Sequence, residues 1–204
     1  MRVALLTGSL VVCCAATVSA QRRWPMDLFA GQINILHPPA APTCRRNTPQ
    51  LTSDSIGPLR PGMPLRDLLR RCPRVTFGWH LEEGNAEPAV AVRLGRIVAE
   101  AILEDTIPPK DRIYRILVAD SALRTADGIG PGSHVLDAPR AWGTPHFGAA
   151  ECSLYVWFDR VAHVSWIAEF PRDWDCTMLD RFATDSTNRR IPSQLRLGLA
   201  ILGR

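Results

Sequence analysis

The side chains able to do acid–base or nucleophilic chemistry are scattered through this sequence. Its five histidines, at 37, 80, 134, 146 and 163, are widely separated, and none stands in an H-E-x-x-H or similar ligand array. His80 and His163 fall on the polar phase of expected strands, where a surface or hydrogen-bonded role is the simplest reading, because a general base needs a positioned partner. Gly132, Ser133 and His134 make only a fragment of the G-x-S-x-G elbow of α/β hydrolases. Ser133 reads instead as an N-cap accepting a backbone N–H. Gly128, Gly130 and Gly132 are spaced like a phosphate cradle but lack a following Gly-Lys-Ser, so they read as positive-φ positions of a tight turn. Asp173 and Asp175 flank Trp174 and would share a proton or a metal only in an extended segment; with Pro171 nearby they read as a solvated acidic turn. These residues therefore supply no catalytic, cofactor-binding or metal-binding assignment.

The cysteines carry more information once the compartment is fixed. Met1 and Arg2 precede an uncharged apolar run from Val3 to Val18, and Ser19 and Ala20 end it with small residues before Gln21. This is the three-part layout of a removable secretion signal, expected over residues 1–20. The run is too short for a bilayer span of about 20 apolar residues. A lipoprotein start at Cys13 or Cys14 fits poorly, because Val12 is bulky where the lipobox wants a small residue and Cys14 follows Cys13. The mature chain is thus expected to be periplasmic or extracellular, without a lipid anchor or a transmembrane segment. Its basic residues, within a formal charge of +4, are dispersed rather than striped, which argues against nucleic acid as a partner.

Cys44, Cys72, Cys152 and Cys176 remain after processing, an even set in an oxidising compartment. With neither a C-x-x-C pair nor a histidine at ligand spacing, zinc is disfavoured. Three connectivities are open. Cys44 lies on the arm just before the helix that Cys72 ends, and Cys152 begins a hairpin whose return strand leads to Cys176. The expected pairs are Cys44 with Cys72 and Cys152 with Cys176; Cys72 with Cys152 is the chief rival.

Residues 21–52 are rich in proline and turn formers, among them Pro25, Gly31, Pro38, Pro39, Pro42 and Pro49, and read as an irregular arm with one short strand near Gln32 to Leu36. A domain is expected over 53–204. Pro64 opens a helix in which Leu65, Leu68 and Leu69 recur at helical spacing, and Pro73 stops it. Val75 to His80 and Pro88 to Leu94 read as strands. Ile97 to Leu103 reads as another, joined near Gly95, although Arg96 and Glu100 at i,i+4 leave a helix open. After a turn at Pro108 to Asp111, Ile113 to Val118 is a strand. Ser133 to Trp142 is a short amphipathic segment, and Cys152 to Phe158 and Val164 to Phe170 form a hairpin. The alternation of Leu195, Leu197, Leu199 and Ile201 marks a closing strand.

An internal echo runs through this layout. Pro61, Gly62, Leu65, Asp67 and Arg70 recur as Pro131, Gly132, Val135, Asp137 and Arg140 at a constant offset. The fold class is therefore α+β, with two degenerate halves near 53–105 and 112–170, each a short helix packed on antiparallel strands, and a C-terminal strand.

The Pro-Gly-Met-Pro-Leu-Arg-Asp-Leu-Leu run at 61–69 and its copy at 131–138 resemble the openings of modules in the SmpA/OmlA outer-membrane lipoproteins and the β-lactamase inhibitor proteins. Trp142, Gly143, Thr144 and Pro145 extend the second copy toward that pattern. The resemblance implies a helix on an antiparallel sheet and, in tandem, a concave sheet that holds another protein. Tyr155 and Trp157 share the strand face opposite Leu154, Val156 and Phe158 and are the candidate partner surface, since aromatics are enriched in contact surfaces. The function expected is a secreted or periplasmic non-enzymatic binding or structural module, its partner another envelope or secreted protein; the alternative is an envelope hydrolase of a family without a recognised motif. N-terminal sequencing of exported protein should read from Gln21, whereas a start at Met1 or a lipidated cysteine would refute the signal assignment.

Overall fold

The computed structural model describes residues 32–33, 43–44, 49–82, 85–104, 111–185 and 190–203. The expected signal peptide, most of the Pro-rich arm and the turn at Pro108 lie outside these residues. The described chain is a mostly antiparallel sheet with two α-helices, the expected α+β class. Its strands are β1 (Thr43–Cys44), β2 (Thr76–Glu82), β3 (Asn85–Leu94), β4 (Ile97–Leu103), β5 (Ile113–Val118), β6 (Pro145–Ala150), β7 (Ser153–Phe158), β8 (Val164–Glu169) and β9 (Arg196–Leu202). The order across the sheet is β1-β3-β4-β5-β9-β8-β7-β6, with β2 also beside β3. Among the described strands only β1 runs parallel to its neighbour, and Gln32 makes a single parallel bridge to Trp79. The C-terminal strand is thus central, hydrogen-bonded to β5 on one side and β8 on the other.

Residues 97–103 form a strand and not a helix. All seven residues of β4 are buried, because apolar side chains cover both faces. Val90, Val92, Ala99 and Ala101 face a large core, while Ala89, Ala91, Val98 and Ile102 face a smaller cluster on the other side.

The helices α1 (Leu65–Arg71) and α2 (Cys176–Thr184) both contribute to the large core, through Leu65, Leu68 and Leu179. Asp67 in the first turn of α1 and Arg70 and Arg71 in its last suit the helix dipole. In the second copy of the motif a continuous helix does not form. Two single 3-10 turns, Val135–Asp137 and Arg140–Trp142, stand either side of Ala138 and Pro139. Pro139 has no N–H to bond back and pushes Ala138 to an extended ψ of 133°. Three elements were not foreseen. Strand β1 lies in the arm beyond the short strand expected near Gln32 to Leu36. Strand β6 was masked by Pro145 and Gly148. Helix α2 begins where Asp175, solvated as expected, accepts the Met178 N–H at 2.8 Å and so also serves as an N-cap.

The two Pro-Gly turns are held by matching bonds. Gly62 N–H donates to Ile113 O and Gly132 N–H to Leu197 O, both at 2.6 Å. Ile113 N–H returns to Met63 O and Leu197 N–H to Ser133 O, at 2.9 and 2.8 Å. Arg112 Nη1 donates to Gly62 O at 2.8 Å, and Arg196 Nη1 to Gly132 O at 2.7 Å. Both glycines have positive φ, 81° and 88°, which only glycine adopts without strain. Ser133 does accept a backbone N–H, but from Gly130 at 3.1 Å, within the turn preceding the 3-10 segment.

Both disulfides are those expected: Cys44–Cys72 ties β1 to the end of α1, and Cys152–Cys176 ties the β6–β7 turn to the start of α2. The even alternation of the last strand fails at one point. Ala168 pairs with Leu197 and Ile167 with Leu199, so Gly198 is an extra residue, a β-bulge. Leu195 and Leu197 therefore join the large core together with Ala200 and Leu202, while Leu199 and Ile201 turn to the other face. A Cβ at Gly198 would lie 2.6 Å from Ile167 O. Gly198→Ala is accordingly expected to destabilise the protein by about 1–3 kcal/mol, read as a fall in the denaturation midpoint; an unchanged midpoint would contradict this packing.

Candidate functional site

The face of the sheet turned away from the helices carries one row of side chains across eight strands. Thr76 pairs with Ala91, Ala91 with Glu100, Glu100 with Leu117, Leu117 with Ile201, Ile201 with Ser165, Ser165 with Trp157 and Trp157 with His146. At the β3–β5 end this open face is covered in part. Ile33 of the arm donates its N–H to Trp79 O at 2.9 Å and packs among Ala89, Ala91, Val98, Ile102 and Leu117.

At the β6–β7 end Trp157 stays 40% exposed, whereas Leu154, Val156 and Phe158 of the same strand are buried in the core. The expected partition of β7 between two faces is thus observed, with half-buried Tyr155 beside Trp157. The Trp157 indole lies over Gly148, whose missing Cβ would be 3.3 Å from it, and stacks on the His146 ring at 5.8 Å between centroids. His146 Nε2 in turn bonds Asp159 Oδ1. That bond, followed by the Thr144 backbone N–H, holds the Asp159 carboxyl below the ordinary aspartate range.

Next to Trp157 is an open groove of about 550 Å³, lined among others by Tyr114, Arg115, Trp157, Asp159, Ser165 and Ile201. It is shaped by a second bulge. Leu103 pairs with Ile113 and Ile102 with Arg115, leaving Tyr114 as the extra residue. Both Tyr114 and Arg115 consequently reach the groove, and Tyr114 is 44% exposed. Bulges commonly re-aim side chains in this way.

Reading strand by strand missed a charged cluster on the same face. Glu100 is only 1% exposed, and its Oε1 lies 3.1 Å from His80 Nδ1. On the rung between them stand Gly78 and Ala89, small enough to leave room. His80 Nε2 lies 3.6 Å from Glu82 Oε2, and Arg115 pairs with Glu82 and, at 3.4 Å, with Glu87. The hydrogen bond to Glu100 raises the His80 pKa above 6.5 against the opposing effect of burial. The available signal was the polar phase shared by His80 and Glu100 on their strands; what brings them together is the register through β3.

Each of the two histidines contacts carboxylates. Ser165 stands two strands from His146 with Trp157 between them, a separation of about 10 Å. Among the described residues no group of three or more potential ligands could hold a metal, and no helix is long and apolar enough to cross a membrane.

No family model and no curated protein matches the chain. Its fold is similar to that of the uncharacterised protein YfeY from Escherichia coli, whose crystal structure superposes with a TM-score of 0.52 at 18% identity. The match spans 76% of this chain and 99% of that one. At that identity the likeness shows the fold alone.

The His80–Glu100 pair has a pH signature. A histidine whose pKa rises on folding contributes its full stabilisation below its unfolded value, near 6.5, and loses it as pH climbs through the raised folded value. Stability should therefore decline from pH 6.5 upward, and His80→Gln should flatten that decline. Denaturation midpoints measured across this window would count against the pair if the wild-type and variant profiles were parallel.

Proposed function

We propose that the protein is an exported, non-enzymatic binding module of two degenerate helix-on-sheet halves, which holds another envelope or secreted protein on the open face of its sheet. The matching bonds at the two Pro-Gly turns support the tandem reading, in which residues 112–118, expected in the second half, group instead with the first. So does the strand arrangement: β2 to β5 and β6 to β9 form two four-stranded sets that meet edge to edge at β5 and β9. The same features are in line with the resemblance to SmpA/OmlA-like and β-lactamase-inhibitor-like modules. Two disulfides are compatible with export.

The observation that carries the binding role is Trp157, a large aromatic left 40% exposed on a face whose other end is covered in part by Ile33. Aromatic residues concentrate in contact surfaces and dominate their energetics. The alternative, an envelope hydrolase, is favoured by the groove that gathers His146 with Asp159, since a carboxylate orients a general base, but it lacks a nucleophile there, Ser165 being out of reach of His146.

A photocrosslinking residue placed at 157 in the exported protein should yield a discrete protein adduct, and the same residue at Leu136, 58% exposed at the 3-10 segment, should not. Trp157→Ser should lose the partner at a cost in stability of about 1 kcal/mol or less, as for other surface positions. A loss of about 3–5 kcal/mol, the cost of truncating a buried aromatic, would make Trp157 core and remove the basis of the proposal.

A further inference from the structure

We infer that the Cys152–Cys176 bond is a thiol-exchange site, open to a dithiol reductant in the folded protein, while Cys44–Cys72 is a sealed structural bond. Its chemistry stands whether or not the open face binds a partner. The two bonds sit in opposite surroundings. Cys44 and Cys72 are 3% and 0% exposed and belong to the large core. Cys152 and Cys176 are both exposed, one on the β6–β7 loop and the other at the first position of α2. Exchange proceeds by attack of a thiolate on a disulfide sulfur, so access decides which bond reacts first.

The backbone of the loop favours opening as well. Ala150 pairs with Ser153, so Glu151 and Cys152 alone make the turn, and both have positive φ, 51° and 57°. Such turns prefer asparagine and glycine, because a larger L side chain is crowded in this conformation. Among the described residues the one other non-glycine position of this kind is His163. The bond to α2 is one of the constraints that keep Cys152 there, and breaking it lets the turn relax. Cys72, at φ −126°, carries no such cost.

The helix decides which sulfur leaves. Each cysteine follows a carboxylate, Glu151 or Asp175, but Cys176 alone opens a helix. The N–H groups of a first turn favour negative charge on a departing sulfur, and a better-stabilised thiolate leaves faster. A thiolate of the dithiol therefore attacks Cys152 Sγ, the S–S bond breaks, and its electron pair leaves on Cys176 Sγ. The second thiolate of the dithiol then displaces Cys152. Two electrons and two protons pass to the protein, which holds two thiols, and the dithiol ends as a disulfide. The helix stays docked throughout: Leu179 is 1% exposed in the core, Phe182 packs edge-on against Phe147 at 5.0 Å, and Trp174 lies 5.0 Å from Phe182. The reduced pair thus remains placed to close again.

The test exposes the full exported chain to dithiothreitol without denaturant, quenches by alkylation at intervals and maps the cysteines by peptide mass spectrometry. Cys152 and Cys176 should be alkylated together, at least about ten-fold faster than Cys44 and Cys72, whose release needs a larger opening of the core. A smaller ratio, or earlier loss of Cys44–Cys72, would overturn the inference. A brief pulse of glutathione, a monothiol, should leave glutathione on Cys152 and an alkylated Cys176; the reverse distribution would refute the assigned leaving group. Cys152→Ser combined with Cys176→Ser should keep the near-ultraviolet signature of the tryptophans and the slow reduction of Cys44–Cys72. Loss of either would show that breaking this bond unfolds the chain, and would rule out a reversible site.

Discussion

Ile116, Leu117 and Val118 pair with Leu202, Ile201 and Ala200, and this short seam joins two sets of strands into one surface. Without it the open face would end in two exposed edges, and an unpaired edge is a liability for any sheet. The pairing also sets the order of events. One partner of the seam is the last strand of the chain, so its contacts span some 85 residues of sequence and the closure entropy falls late. The groove beside Trp157 is built directly on the seam, with Tyr114 and Arg115 from one side and Ser165 and Ile201 from the other. It cannot exist before β9 is in place.

The Pro-Gly turns explain how the seam strands are aimed. Each turn clamps the residues that lead into β5 or β9 by a two-way backbone exchange, with an arginine from the entering strand bonded back to the glycine carbonyl. The turn before a helix thereby fixes a strand that follows some 50 or 64 residues later. The disulfides act elsewhere, at the outer parts of the sheet, where β1 meets α1 and where the β6–β7 turn meets α2. The covalent ties thus sit at the margins of the sheet, Cys44–Cys72 inside the large core and Cys152–Cys176 at an exposed turn, and hydrogen bonds and apolar burial hold the centre.

Much of this was legible as local pattern. Cys152 to Phe158 alternates in a way that its burial repeats, and the cysteine pairs followed from the placement of the elements; the strands at Val75 to His80 and Ile113 to Val118 form as expected, but the buried residue of the first is Gly78 and the second loses its alternation at the Tyr114 bulge. The illegible parts share a cause: they depend on partners distant in sequence. Strand β6 contains Pro145 and Gly148, poor strand formers, and is held by pairing with β7 while Phe147 packs edge-on against Phe182 at 5.0 Å. The His80–Glu100 contact needs the register of three strands at once. The phase reversal at Gly198 is invisible in a run of alternating leucines, because a bulge belongs to the pair of strands and not to either alone.

That last point bears on why the candidate site lies where it does. The bulges at Tyr114 and Gly198 occupy corresponding places, each the second residue after the arginine that clamps its turn. At Gly198 the neighbouring Ile167 carbonyl leaves no room for a side chain. At Tyr114 the same irregularity carries a large ring, almost half exposed, at the mouth of the groove. A bulge that served only to curve the sheet would gain nothing from an exposed aromatic there, since a solvated ring adds no core packing. One copy of the device therefore closes the sheet, and the other presents a side chain on the same face as Trp157.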